Sequence, residues 1–151
     1  MTLDAIRERF GGAIGEVTVF RGETSLTVDR DPIVSLCEFL RDEEVLAFDF
    51  LSDLCGVDRH PASPRFLVVY HLFSLRQGHR LRLKVFLGGE DPVLDSVVSV
   101  WETADWHERE CFDLFGIRFR NHPDLRRILL PEDFGGHPLR KDFPLEGTGK
   151  P

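Results

Sequence analysis

The sequence lacks the marks of several common protein classes. Its three cysteines, Cys37, Cys55 and Cys111, are odd in number and widely spaced. That excludes a disulfide framework and a CxxC cluster motif, and they read as buried thiols in a reducing compartment. No run approaches the ~20 apolar residues that a membrane-spanning helix requires. The opening "MTLDAIRERFGG" has neither the apolar stretch of a signal peptide nor an acid-free presequence, so a bacterial or archaeal cytoplasmic protein is expected. There is no GxSxG, no GxGxxG after a strand and no Walker lysine; "GTGK" at 147–150 lacks the leading strand and the following helix. Basic side chains are the minority, 19 against 26 acidic ones, and the net charge of −7 disfavours a nucleic-acid partner.

What is present suits one domain. The 151 residues are 42% hydrophobic and include 13 Phe, ample core material for a chain of this size. The charge is uneven: residues 1–115 carry 12 basic and 21 acidic side chains, net −9, whereas residues 116–151 carry 7 and 5, net +2.

Pattern along the chain predicts the elements. Thr2 is placed to cap a short helix with Leu3, Ile6 and Phe10 on one face, stopped by Gly11 and Gly12. "EVTVF" (16–20) and "SLTVD" (25–29) read as a hairpin. Asp31 and Pro32 read as N-cap and first helical position, followed by Ile33, Leu36, Cys37 and Leu40 at helical spacing. Three strands follow at 45–54, 65–75 and 79–87. In the last, Leu81, Leu83, Val85 and Leu87 alternate with Arg80, Arg82 and Lys84. A second Asp-Pro pair, Asp91 and Pro92, predicts a helix through Val93, Leu94, Val97, Val98 and Trp101. Thr103 then caps a helix "ADWHERECFDLF" that Gly116 ends. Strands and helices do not alternate strictly, so the class is a two-layer α+β domain with helices packed on one side. Residues 1–119 form this domain. Residues 120–151 form an extended arm, because its prolines forbid a long helix or central strand while its apolar groups are too many for a solvated linker.

The arm and the helix before it hold most of the chemistry-bearing residues. His107 and Cys111 stand one helical turn apart, which is half a zinc site, and no second pair has ligand spacing. Glu108, Glu110 and Asp113 form a carboxylate cluster that could do proton work if their environments differed. Arg126 and Arg127 lie close enough downstream to make them salt bridges instead. His60, His79, His122 and His137 sit by prolines, turns or strand ends, as polar caps do. His71 lies in the most apolar strand and reads as a core histidine. The bottom-up reading is an interaction surface without a nucleophile or a cofactor site.

Three stretches, "WHERECFDLFGI", "HPDLRRILLPEDF" and "GHPLRKDFPLEG", resemble the signature of the C subunit of respiratory complex I, the thirty-kilodalton subunit family of NADH:quinone oxidoreductases. Weaker likeness in "LSDLCGVD", "RFLVVYHLFSL" and "LRLKVFL" extends it over residues 45 to 146. The resemblance implies a mixed sheet. It implies a peripheral subunit on the cytoplasmic side of the cell membrane, packed on the quinone-site D subunit, with the B and I subunits nearby. It also implies that NADH, FMN, iron-sulfur clusters and quinone belong to the complex and that this chain binds no cofactor and holds no catalytic residue. The motif falls on Glu108, Arg109, Glu110, Asp113, Phe115, Gly116, His122, Pro123, Arg126 and Arg127, and on Phe134, His137, Pro138, Leu139, Arg140, Lys141, Asp142 and Phe143.

On that basis Glu108, Glu110 and Asp113 are expected to pair with arginines, Leu139 and Phe143 to anchor the arm in the D subunit, and Arg140, Lys141 and Asp142 to fix its register. The arm is expected to order on assembly. His107 and Cys111 depart from the family pattern and read as packing variants. The end at Pro151, where many members continue with a further arm, leaves the reach across a neighbour open. Two other readings compete: the equivalent subunit of a membrane hydrogenase or deazaflavin-linked dehydrogenase, and a free-standing small enzyme using Glu108, Glu110 and His107 with zinc.

Overall fold

A computed structural model describes residues 3–89 and 91–147. The elements are α1 (Asp4–Phe10) with a short 3-10 turn (Gly11–Ala13), β1 (Ile14–Phe20), β2 (Glu23–Val28), α2 (Ile33–Asp42), β3 (Phe50–Asp58), β4 (Phe66–Phe73), β5 (Arg80–Leu87), β6 (Val93–Asp95), α3 (Ala104–Phe115) and β7 (Arg118–Arg120). Five strands form one sheet in the order β1-β2-β5-β4-β3. The β2–β5 pair is parallel and the others are antiparallel, so the α+β domain has a mixed sheet.

The period of two along β4 and β5 decides which face becomes the core. Phe66, Val68, Tyr70 and Leu72 oppose Leu87, Val85, Leu83 and Leu81 in register, and all eight are buried. Ile6 of α1, with Ile33, Leu36, Cys37 and Leu40 of α2, close over that face in one apolar cluster. The opposite face carries Asp53, Cys55, Leu67, His71, Arg82 and Lys84 and stays partly exposed.

Two expected elements need correction. The strand expected at 45–54 begins only at Phe50. The preceding residues turn: the Leu46 and Ala47 amides donate to Glu43 O, the Phe48 amide to Leu40 O, and Ala47 has φ 45°. Leu46 and Phe48 are buried all the same, so the apolar run reports burial and not a strand. The helix expected after Asp91-Pro92 is absent. Val93–Asp95 instead pairs in parallel with Arg118–Arg120, a partner 25 residues away that local spacing cannot reveal. Val97 and Trp101 still enter the core, where Trp101 Nε1 donates to Phe48 O at 3.0 Å.

Caps also differ. Neither Asp31 nor Thr103 makes a side-chain cap; Pro32 stands at the N-cap of α2, and the Thr103 hydroxyl donates to Leu51 O at 3.4 Å. Thr2 lies outside the described residues. Gly116 is the left-handed C-cap of α3 as expected, with φ 72°.

Candidate subunit interface

Helix α3 ends with carbonyls that have no partner within the helix. Its last turn also carries partial negative charge, which cations relieve. Residues 121–147, which contain no helix or strand, supply both needs. His137 Nδ1 donates to Asp113 O at 2.9 Å and Arg127 Nη1 to the same oxygen at 3.1 Å. The Leu139 amide donates to Leu114 O at 3.0 Å, and Arg140 Nε to Phe115 O at 2.6 Å.

Asp113 holds the same contact from the side-chain direction. Its Oδ2 accepts the Ile128, Leu129 and Leu130 amides at 3.0, 2.8 and 2.9 Å, while Oδ1 accepts Arg127 Nη1 at 2.7 Å. Burial pushes this carboxyl up, but Arg127 and the three amides outweigh it and hold it below the usual carboxylate range. Arg127 also donates to Phe134 O and Gly136 O, both at 2.9 Å. Arg109 reaches Arg126 O and Arg127 O at 3.1 and 3.0 Å. These donors meet backbone oxygens or a buried carboxylate, which is why the segment needs no regular structure to stay in place.

A second clamp lies at the β3–β4 connection. Arg65 binds Asp58 through Nε and Nη2 at 2.9 and 2.8 Å, and Asp142 through Nη1 and Nη2 at 2.9 and 2.8 Å. The Lys141 amide donates to Asp58 Oδ2 at 2.8 Å. Hydrogen bonds from Arg65 hold Asp58 far below its ordinary range, and those to Asp142 lower that group too. Phe143 stacks on Phe134 with centroids 6.1 Å apart and lies 3.0 Å from where a Cβ on Gly136 would stand.

The three acidic residues of α3 have three different fates. Asp113 alone pairs with an arginine. Glu108 is buried and accepts from Ser96 Oγ at 2.6 Å and the Val97 amide at 2.8 Å. Burial pushes its carboxyl up to about 7, against the pull of those two hydrogen bonds. Glu110 is exposed. The expectation that all three pair with arginines is therefore corrected; helical periodicity turns Glu110 outward and Glu108 toward the β6–α3 connection. His122 Nε2 donates to Asp105 O at 3.2 Å, and its Nδ1 accepts the Asp124 amide at 3.0 Å. Pro123 and Arg126 are exposed beside it. The same geometry bears on the arm: Arg140, Lys141 and Asp142 set its register against its own domain, and Leu139, expected to be an anchor, is 49% exposed.

His107 and Cys111 do not form half of a metal site. Cys111 points into the core, whereas His107 Nδ1 faces Asp53 Oδ1 at 3.5 Å. His71 is not a core histidine; it lies on the open sheet face opposite Asp53.

Residues 26–149 match the family model described as respiratory-chain NADH dehydrogenase, 30 Kd subunit. The chain belongs to this family. A relative from Rhizobium meliloti, the NADH-quinone oxidoreductase C 2 subunit, is 52% identical over 145 residues, covering 96% of this chain and 79% of the relative. The NADH-quinone oxidoreductase C subunit of Geotalea uraniireducens is 48% identical, covering 96% and 87%. Among solved structures, a trypsin-resistant fragment of Nqo5 is 34% identical with TM-score 0.68, covering 83% of this chain and all of that fragment. A chain of the archaeal membrane-bound sulfane sulfur reductase, a respiratory membrane complex, has TM-score 0.81 at 23% identity over 95% of this chain and 84% of that one. That second likeness is one of fold.

A groove of about 800 Å³ between α3 and the C-terminal segment is lined by Val98, Trp106, His107, Ile128 and Leu129 among others. Trp106 is 70% exposed and Leu129 62%. Sequence reasoning did not single out Trp106 as a groove residue, although a tryptophan on a helix of charged residues is a signal for one.

Proposed function

We propose that this chain is the non-catalytic C subunit of a proton-pumping NADH:quinone oxidoreductase, lying on the cytoplasmic side of the membrane and scaffolding the quinone-site D subunit, with the B and I subunits nearby. The observation that carries the reading is how α3 and the C-terminal segment are built. The ionisable residues of the motif are largely consumed in holding the segment to the domain, and the groove beside them presents tryptophan and leucine to solvent. Aromatic and aliphatic anchors ringed by charge suit a permanent protein contact, whose centre is apolar and rim polar. In this reading the motif acts through shape: Asp113, Arg127, His137 and Arg140 set the backbone, and Trp106, Leu129 and Leu139 face the partner. NADH, FMN, iron-sulfur clusters and quinone are then handled by other subunits. Identity near one half to C subunits of NADH-quinone oxidoreductases supports the NADH-linked enzyme.

The test is affinity purification of the tagged chain from detergent-solubilised host membranes, with identification of its partners and assay of NADH oxidation by a quinone acceptor. A large iron-sulfur assembly with that activity, containing the D subunit in contact with this chain by crosslinking, is expected. Recovery of the chain alone would overturn the reading, and recovery with hydrogenase subunits would transfer it to another machine.

A further inference from the structure

The open face of the sheet holds a group of donors that the subunit reading does not use. Asp53 and Cys55 stand two apart on β3 and therefore project from the same face. His71 of β4 is the direct cross-strand neighbour of Asp53, and Cys55 is its diagonal neighbour, within reach of side chains of this length. One ligand atom from each of the three lies within 4.8 Å of the others. Within the described residues neither the Cys55 thiol nor the His71 ring takes part in a hydrogen bond, so neither is committed elsewhere. From α3, His107 brings Nδ1 to 3.5 Å from Asp53 Oδ1. A cavity of about 220 Å³ lined by Ser52, Asp53, His71 and Arg82 opens beside the group and offers a path from solvent.

We propose that Asp53, Cys55 and His71 form a binding site for one divalent zinc ion, with His107 placed to supply the fourth ligand. The donor set is one sulfur, one or two imidazole nitrogens and one carboxylate oxygen, the mixture that four-coordinate zinc takes and that magnesium and calcium do not. Ligand atoms of a tetrahedral ion lie between three and four ångströms apart (roughly, given metal–ligand distances of ~2.0–2.3 Å), so small rotamer changes close the observed spacing. Two strands and a helix converge here, so the scaffold of the site is rigid. The nearby charges are mixed: Glu110 faces Cys55, and Arg82 faces both Cys55 and His71 but is held by Glu23 at 2.7 Å. Zinc uptake forms the metal–sulfur bond with release of the Cys55 thiol proton to solvent. The site is independent of the subunit reading, and its failure leaves that reading untouched.

The experiment uses the full chain, purified under reducing conditions and stripped by a chelator. It is titrated with Zn²⁺ by calorimetry and with Co²⁺ by absorption spectroscopy. One ion per chain and a thiolate-to-cobalt charge-transfer band are expected. Cys55→Ser should remove that band and weaken Zn²⁺ binding by more than the ~10–100-fold that loss of an outer-shell partner costs. His71→Asn should weaken binding as much and keep the band, and circular dichroism checks the fold of both variants. On the unaltered chain, saturating Zn²⁺ should block alkylation of Cys55, read by peptide mass spectrometry. Binding of less than one ion, affinity unchanged by Cys55→Ser, or alkylation of Cys55 unaffected by Zn²⁺ would each overturn the proposal.

Discussion

Asp113 and Glu108 lie five residues apart on one helix, are both buried, and respond to pH with opposite sign. Asp113 meets a guanidinium and three amides, all donors to its charged form, so its carboxyl is lowered on folding. The stability it confers is present above the unfolded value near 4 and is lost as pH falls through the folded one. Asp113→Asn keeps the shape but leaves Arg127 without its charge partner. A loss of about 3–5 kcal/mol is expected at neutral pH, measured by urea unfolding. Glu108 meets two neutral donors in a dry site and is raised to about 7. Its contribution is full below the unfolded value near 4.5 and declines as pH rises through 7. Glu108→Gln retains an acceptor for the Val97 amide and removes the charge. It should flatten the stability difference between pH 5 and pH 8, a difference on the order of 3 kcal/mol in the parent chain. A parent and variant with equal slopes would show that Glu108 titrates normally.

At the scale of elements, the end of α3 and the C-terminal segment form one unit. The segment offers little apolar burial of its own, and its positioning comes from carbonyls of a helix terminus and from two buried carboxylates, Asp113 and Asp58. Gly116 is the joint. Its φ of 72° favours glycine, and a Cβ there would stand 2.6 Å from His137 Cδ2 and 2.7 Å from Arg140 Nη2, two of the three side chains that cap the helix. Gly116→Ala should cost more than the ~1–2 kcal/mol of left-handed strain alone, because the caps must also move. Limited proteolysis should then cut within residues 127–143 faster than in the parent. Equal rates would show that the caps do not hold the segment.

For the whole molecule, the sheet has one closed and one open face, and α3 lies against the edge strand β3. The Thr103 hydroxyl donates to the Leu51 carbonyl of that edge, and the helix covering it protects it from pairing with another chain. The exposed apolar residues on α3 and the segment are the surface assigned to a partner in the proposed function. Trp106→Asp with Leu129→Asp should leave the unfolding midpoint of the isolated chain within the ~0.5 kcal/mol typical of surface changes. The same pair should reduce recovery of the chain in the purified respiratory assembly. Normal recovery would place the partner contact elsewhere on the surface.

Much of this was legible in the sequence, for physical reasons that differ from element to element. Strand β5 and helix α3 carry a strong local period, alternation in one and a C-terminal glycine in the other, and each was placed to within a residue. The α+β class followed from element order, and the family from motif. Local pattern failed where a distant partner decides. Val93–Asp95 is a strand because Arg118–Arg120 lies beside it, and 45–49 turn because Leu46 and Phe48 must reach the core beneath Trp101. The site divides the same way. Sequence alone determined which residues are chemically capable, because side-chain type is local. Only the tertiary structure decided their roles: register put His71 opposite Asp53, helix phase buried Glu108 and exposed Glu110, and packing turned Arg109, Arg127 and Arg140 onto the chain's own carbonyls while leaving Arg126 exposed.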